Sequence, residues 1–300
     1  MNMRIIKYMI LGSALSWAAF ISAKEPITIS SAKFSMGLVN EWVAKYTAIH
    51  PKAEFRILDA NASDADLVLI SDNANHSEEK ELVTYVARYA LLPVTSNNNP
   101  LVSTITRKDW DEKELKQLFF QEEGDSEEGG KHEKWEDITV YSGVDENITS
   151  HVFASHFGKD ATSLKGRRIV GDDRYLLSAI EKDPKSVTFN NLGYLFDLQS
   201  RKLKSNLVLL PLKLKKEQAN ALQSDNIDSI LNVFELQESN IVPVEYIGFS
   251  LKTLTPEIND FLSWVIGKGQ NVNHDSGFLR VDEKLAQNQL QKLNYLANNK

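Results

Sequence analysis

The chain has 300 residues with a formal net charge of −7, and 42% of its residues are hydrophobic. This hydrophobic content can build a substantial core, and the length is enough for about two domains. The net negative charge, with no basic stripe to offset it, argues against a nucleic-acid partner. The chain has no cysteine, so its fold depends on core packing and not on disulfides.

The N-terminal segment is typical of a secretory signal peptide. Two basic residues precede an apolar run from Tyr8 to Ile21, and the small residues Ser22 and Ala23 follow it. The run is shorter than the ~20 residues that a membrane span needs. We therefore predict a signal peptide over residues 1–23, cleaved after Ala23, and a periplasmic location. An uncleaved membrane anchor is the alternative.

The pattern after the signal peptide predicts alternating strands and helices. Residues 27–32 alternate apolar and polar side chains, as in a strand, and apolar residues of the segment 38–49 recur at helical spacing after a candidate N-cap at Ser35. A strand is predicted at AEFRIL, and a short helix at SEEKELV. The continuous apolar runs ADLVLIS and VARYALLPVTS predict strands buried on both faces. This alternation implies an α/β sheet.

A turn cluster at Asn97–Pro100 separates this part from a similar one. Helices are predicted at DEKELKQLF, SHVFASHF and DDRYLLSAIEKDP. Strands are predicted at DITVYSG, at NLVLLPLKL and, interrupted by turn residues, at SVTFNNLGYLF. The final segment reads NIVPVEYIGFSLK and is followed by two predicted helices, TPEINDFLSWVIGKGQ and EKLAQNQLQKLNYLA.

The order of these elements resembles the phosphate-binding-protein family of periplasmic substrate-binding proteins, which serve ABC importers. ITISSAKFSMGLVNEW is similar to the family's first strand, anion loop and first helix, and DLVLISDNANHSEEKEL is similar to its strand, Ser-Asp pair and helix. VARYALLPVTSNNNP resembles the strand that enters the first hinge, and KELKQLFF with WEDITVYSG resembles the family's Leu-x-x-Ile-Phe and Trp segment. INDFLSWVIGKGQNVNHDSGFLRV resembles its closing helix and glycine turn. The match covers nearly all of residues 27–281.

The resemblance implies an α/β, two-lobed fold of the type II periplasmic-binding-protein kind. Each lobe would have a central β-sheet flanked by helices, and two hinge crossings would join the lobes. Lobe 1 would comprise residues 25–95 and 240–300, and lobe 2 residues 96–239. Residues 121–134 are acidic and glycine-rich with no apolar side chain, which predicts a flexible surface insertion in lobe 2. We expect it to be a solvated insertion, with a metal or partner contact as the alternative.

Two of the loops implied to hold an oxyanion match the family pattern. A buried oxyanion needs many donors, and helix N-termini supply N–H groups with a partial positive charge. In the first loop, the amides of Lys33 and Phe34, the Ser35 hydroxyl and the Lys33 charge would serve. In the second, Ser71 would donate and Asp72 would accept from a protonated oxyanion. A plain helix cap and an Asx turn are the respective alternatives.

The third loop departs from the family pattern. With Phe153 in the place of the family's aromatic residue, Thr149 matches its Thr, and Asn147 falls where a Ser belongs. Gly143 stands in the place of an Arg, and Ile148 in the place of a Gly. Asn147 and Thr149 can still cap the helix and donate, but losing one partner of a buried charge pair costs about 2–5 kcal/mol. Another cation must compensate, or phosphate is not held tightly. The candidates for compensation are Lys33, Arg167, Arg168 and Arg174.

Two functions follow from these features. The first is a monomeric periplasmic binding protein that captures phosphate or a similar oxyanion and delivers it to the membrane subunits of an ABC importer, without a cofactor or metal. The second is a degenerate domain of this fold that acts as a sensor or scaffold in the cell envelope, without tight phosphate binding. The six histidines are scattered, and no H-E-x-x-H, G-x-S-x-G or P-loop motif is present, so we expect no catalysis.

Overall fold

The computed structural model describes residues 25–58, 62, 64–71, 82–121, 135, 137–144 and 147–298. Within these ranges the chain forms a mixed α/β structure around one nine-stranded sheet. The strands are β1 (Ile27–Ser30), β2 (Phe55–Leu58), β3 (Leu67–Ser71), β4 (Leu82–Ser96), β5 (Thr139–Gly143), β6 (Arg167–Ile169), β7 (Ser186–Asn191), β8 (Leu207–Leu209) and β9 (Val244–Leu251). The helices are α1 (Met36–Ile49), α2 (Val102–Ile105), α3 (Glu112–Phe119), α4 (Ile148–His156), α5 (Arg174–Lys182), α6 (Leu192–Leu195), α7 (Lys216–Gln223), α8 (Ile227–Leu236), α9 (Pro256–Ile266), α10 (Gln270–Asp275) and α11 (Glu283–Asn298).

The sheet has the strand order β2-β1-β3-β9-β4-β7-β5-β6, and β8 pairs with β4 beside this path. Parallel pairs join β1 to β2 and β3, and join β5 to β6 and β7. At each end of the sheet, the neighbouring strands are therefore parallel, and within that end their carboxyl ends lie on the same edge. This is the arrangement in which α/β proteins place their binding loops.

The long strand β4 runs through both halves of the sheet. Its first half pairs with β9, from Leu82 opposite Leu251 to Ala90 opposite Val244. Its second half pairs with β7 and β8. Nearly every residue of this strand from position 86 onward is buried, which accounts for its continuous apolar run. The strand ends at the point where the sequence predicts the first hinge crossing, although the lobe boundaries themselves stay a prediction.

An aromatic side chain anchors a helix in each half of the structure, by hydrogen bonds in the first half and by ring stacking in the second. In the first half, the Trp42 indole N–H of α1 lies 3.3 Å from the Gly269 carbonyl and 3.2 Å from Asn273 Oδ1. These contacts tie α1 to the C-terminal part of the chain. In the second half, the ring of Phe153 on α4 stacks on Phe189 of β7 with the ring centroids 3.8 Å apart. This stack fixes the position of α4 over the sheet.

Several predicted elements differ from the observed ones. Leu82 and Val83 begin β4 and do not form the end of a helix, and residues 77–81 of that predicted helix lie outside the described residues. The interrupted strand at SVTFNNLGYLF is a strand followed by the short helix α6, because the Asn191 side chain caps the Tyr194 amide. The segment from Arg167 to Ile169, for which the sequence predicted no strand, forms strand β6. The sequence left α7 and α8 unassigned. Of the predicted insertion, only Gln121 lies within the described residues.

None of the helices in the described ranges is long and apolar enough to cross a lipid bilayer.

Candidate functional site

The first turn of α1 leaves its amide donors open. In the part of the chain that the structure describes, the backbone N–H groups of Lys33, Phe34, Gly37 and Leu38 donate to no protein acceptor. The loop that carries them follows β1, and its edge of the sheet also holds the end of β3. Because unpaired amides at a helix N-terminus attract anions, this turn can bind a negatively charged group.

Ser35 does not cap this helix, so its predicted role as an N-cap is wrong. Its backbone has φ −101° and ψ −5°, a helical conformation and not the extended one that turns a capping side chain over the first turn. The hydroxyl lies 3.1 Å from the Ala32 carbonyl and 3.0 Å from Ser31 Oγ. The amides of the first turn therefore stay available. Whether the Ser35 hydroxyl contacts a ligand stays a prediction.

An aromatic cluster lies beside this turn. The Phe34 ring centroid lies 5.0 Å from that of Tyr89 and 6.2 Å from that of Phe278. The Tyr89 hydroxyl lies 3.4 Å from Ser71 Oγ, and both residues are buried. Burial raises the pKa of the Tyr89 phenol, so this hydroxyl keeps its proton and remains a donor. The structure thus brings Phe34, Tyr89 and Ser71 together, whereas Asp72 lies outside the described residues.

In the second half, the donors of the α4 loop bind a carboxylate of the same chain. Asn147 caps α4, because its Oδ1 accepts from the Ser150 amide at 2.8 Å. Its Nδ2 donates to Asp173 Oδ1 at 2.7 Å, and Thr149 Oγ1 donates to Asp173 Oδ2 at 2.6 Å. Asp173 and Thr149 are buried. The structure therefore directs the side chains of Asn147 and Thr149 to Asp173, and their contact with a ligand stays a prediction.

The surroundings of Asp173 are acidic and polar. Burial raises the pKa of the Asp173 carboxyl, against the hydrogen bonds from Thr149 and Asn147. Burial also opposes ionisation of Asp172, but hydrogen bonds from Arg174 hold its pKa below the ordinary value. Burial is the largest cause of the raised pKa of Tyr89, and the Asp173 charge contributes to it.

The geometry at Gly143 explains why this loop has no arginine there. A Cβ atom at this position would lie 2.3 Å from Asn147 Cγ, far inside van der Waals contact. Any side chain at position 143 would displace the Asn147 cap. A side chain at position 143 and the Asn147 cap are therefore incompatible in this loop.

The three arginines predicted to compensate all donate to protein acceptors. Arg168 donates to Ser142 Oγ at 3.1 Å and to the carbonyls of Ala161 and Leu164 at 2.8 and 3.1 Å. Arg174 pairs with Asp172 at 2.8 Å. Arg167 donates to the Tyr141 hydroxyl at 3.3 Å. Of the four candidates, the exposed Lys33 is the one that makes no ion pair or side-chain hydrogen bond within the described residues.

The sequence analysis did not identify Asp173, Tyr89 or Asn190 as site residues. Asn190 Nδ2 donates to the Asp173 carbonyl at 2.8 Å and so anchors its backbone. An Asp-Asp pair directly before α5 was readable as a helix N-cap signal. In the structure, however, the second Asp reaches the neighbouring helix α4, because the loops after β5 and β6 leave the sheet side by side.

No protein-family model matches the chain, and no curated protein matches it by sequence. Solved structures do match. A putative phosphate ABC transporter substrate-binding protein with bound phosphate, from Clostridium perfringens, is 14% identical with a TM-score of 0.60, over 86% of this chain and 100% of that chain. An ABC-type phosphate transport receptor from Vibrio cholerae is 13% identical with a TM-score of 0.55, over 85% and 100%. The regulatory domain of Synechocystis CcmR in complex with 2-PG is 12% identical with a TM-score of 0.50, over 83% and 99%.

These likenesses define the fold class. The chain has the α/β fold of type II periplasmic binding proteins, with a curled central sheet and flanking helices. The predicted fold class is confirmed, and so is the resemblance to phosphate-binding proteins of ABC transporters at the level of fold. At these identities the likeness extends to the fold alone.

Proposed function

We propose that the chain is a periplasmic substrate-binding protein that captures a small oxyanion, with phosphate as the first candidate, for an ABC importer. The observation that carries this proposal is the open first turn of α1, where four backbone amides lack protein acceptors among the described residues. In a fold of this class, the turn lies where ligands bind, at the carboxyl ends of parallel strands.

The chemistry of this turn suits an oxyanion. Its amides and the positive end of the α1 dipole favour negative charge. Lys33 is exposed beside them and adds a full positive charge. The protonated Tyr89 phenol and the Ser71 hydroxyl supply further hydroxyl groups nearby. The Clostridium perfringens protein of the same fold has bound phosphate, which supports phosphate as the first candidate here.

The predicted signal peptide and two proteins of the same fold support the transport role. The predicted signal peptide would place the processed protein in the periplasm. The two neighbours described above as phosphate transport proteins suggest that membrane subunits of an ABC importer are the partners. We propose a monomeric binding protein without catalytic activity, in which Ser71 and Asp72 contact the ligand along with the first turn of α1.

A second candidate function is a sensor or scaffold of the cell envelope that does not bind phosphate tightly. The observation that favours it is the Asp173 carboxylate, which already binds the Asn147 and Thr149 donors. Like charges about 4 Å apart repel by about 4 kcal/mol at an effective dielectric constant near 20. The regulatory domain of CcmR, in complex with 2-PG, has the same fold, so this architecture is compatible with sensing as well as transport.

Calorimetric titration of the exported protein with inorganic phosphate distinguishes the two functions. We expect measurable binding by the wild-type protein, and binding at least about tenfold weaker in Lys33→Glu, because the substitution reverses the charge beside the open amides. Lys45→Glu is the matched control, because Lys45 is an exposed lysine further along the same helix, and it should bind like the wild type. The absence of heat at millimolar phosphate would contradict solute capture and favour the second function.

A further inference from the structure

We propose that Asp173 determines which ligands the loop at the start of α4 admits: its carboxylate takes the Thr149 and Asn147 donors and so excludes a free oxyanion. This inference rests on the proposed function and deepens it. It makes the first turn of α1 the dominant anion contact, because the start of α4 already binds a carboxylate of the same chain.

The two carboxylate oxygens of Asp173 each receive one donor of the loop. Thr149 Oγ1 lies 2.6 Å from Oδ2, and Asn147 Nδ2 lies 2.7 Å from Oδ1. A threonine hydroxyl has a single proton to donate, so Thr149 has none left for a second acceptor. The Asn147 Oδ1 atom is also engaged, by the Ser150 amide. An incoming oxyanion would therefore meet a Thr149 hydroxyl whose proton is already donated, and a negative charge.

The position of Asp173 is built into the fold and does not depend on a surface rotamer. The residue is 6% exposed, and Thr149 is fully buried. Asn190 of β7 donates to the Asp173 carbonyl, and the Leu176 amide of α5 donates to the same oxygen at 3.1 Å. Asn147 and Thr149 thus hold the carboxylate, while α5 and β7 hold the backbone that carries it.

Among the residues that the structure describes, this carboxylate makes no ion pair. Arg174, the next residue, pairs with Asp172, and Arg168 donates to carbonyls and to Ser142. A free oxyanion and a carboxylate are both negatively charged hydrogen-bond acceptors, so they compete for the Thr149 and Asn147 donors. Removing the carboxylate should therefore allow small anions to bind these donors.

Removal of the carboxylate gives the direct test. In Asp173→Ala, acetate, formate or phosphate should raise the melting temperature in a saturable way, because each can replace the missing carboxylate between Thr149 and Asn147. The wild-type protein should show no such effect with acetate or formate. Asp160→Ala is the matched control, since the Asp160 carboxylate also accepts from a threonine hydroxyl and a backbone amide, at Thr162, but is exposed. An Asp173→Ala protein that is stabilised no more than the control would overturn the proposal.

A second variant covers the case in which Asp173→Ala does not fold. Asp173→Ser keeps a polar group but is shorter and uncharged, and we expect phosphate to bind this protein at least about tenfold more tightly than the wild type. Equal or weaker binding would overturn the proposal. If the proposed function is wrong and this inference is right, the results differ from those above. Lys33→Glu would then not weaken phosphate binding, while acetate would still stabilise Asp173→Ala.

Discussion

Replacing Glu235 by Gln is expected to lower the free energy of unfolding by about 3 kcal/mol near neutral pH. Glu235 lies in the last turn of α8 with a mostly buried side chain. Its Oε1 atom lies 2.5 Å from His274 Nε2 and accepts from the Arg280 amide at 2.5 Å. The Arg280 guanidinium lies 3.2 Å from Oε2. One carboxylate therefore joins α8 to the C-terminal part of the chain.

This carboxylate should also make stability depend on pH. Burial works against its ionisation, but the hydrogen bonds from His274 and Arg280 lower the pKa of Glu235 to about 2. Because folding lowers this pKa, the stabilisation is complete above the ordinary glutamate pKa. It is lost as the pH falls from about 4.5 towards about 2. Urea unfolding of the wild type and of Glu235→Gln at several pH values measures this directly, since the difference between the two proteins should shrink with acidification.

The matched control for this experiment is Glu238→Gln. Glu238 lies close by in sequence but is exposed, so its substitution should change stability by less than about 0.5 kcal/mol. A Glu235→Gln protein as stable as this control, at neutral and at acidic pH, would contradict the structural role assigned to Glu235.

Truncation of Phe153 to Ala is expected to lower the free energy of unfolding by about 3–5 kcal/mol. The ring is fully buried and stacks on Phe189 with an interplanar angle of 1°. It also contacts Phe119 and Phe157, with centroid distances of 4.9 and 5.1 Å. Chemical denaturation measures the loss. Tyr295→Ala is the control, because that aromatic side chain is 67% exposed and its truncation should have little effect.

Phe153 also affects the candidate site, because its ring positions the start of α4. Asn147 caps the helix, and Thr149 in its first turn donates to Asp173. We therefore expect Phe153→Ala to loosen the contact between Thr149 and Asp173 as well as the core. A folded Phe153→Ala protein with unchanged stability would contradict the packing assigned to this half of the sheet.

Most of the fold could be predicted from the sequence, because helices and strands leave patterns of apolar residues that are visible without knowledge of their tertiary contacts. The apolar run of β4 predicts a strand buried on both faces, and that is what the sheet contains. The helices α7 and α8 were missed although α8 is well buried on one face. The Ser35 N-cap was wrong because a serine at the right position still needs an extended backbone to cap, and this backbone is helical.

The candidate site was only partly readable from the sequence. Asn147 and Thr149 were named as anion ligands from the alignment of one loop, and the structure directs both side chains to Asp173. Their partner Asp173 comes from a different loop, 24 residues beyond Thr149. Only the parallel pairing of β5 and β6 makes these loops neighbours. Likewise, the missing arginine at Gly143 was visible in the sequence, but the steric conflict with Asn147 was not.

An oxyanion is expected to bind the open amides at the start of α1. Titration of the ¹⁵N-labelled protein with inorganic phosphate, followed by amide NMR signals, tests it most directly. We predict that the signals of Lys33, Phe34, Gly37 and Leu38 shift together and saturate at the dissociation constant found by calorimetry. Calorimetric binding without any shift of these four signals would show that phosphate binds elsewhere and would contradict the account.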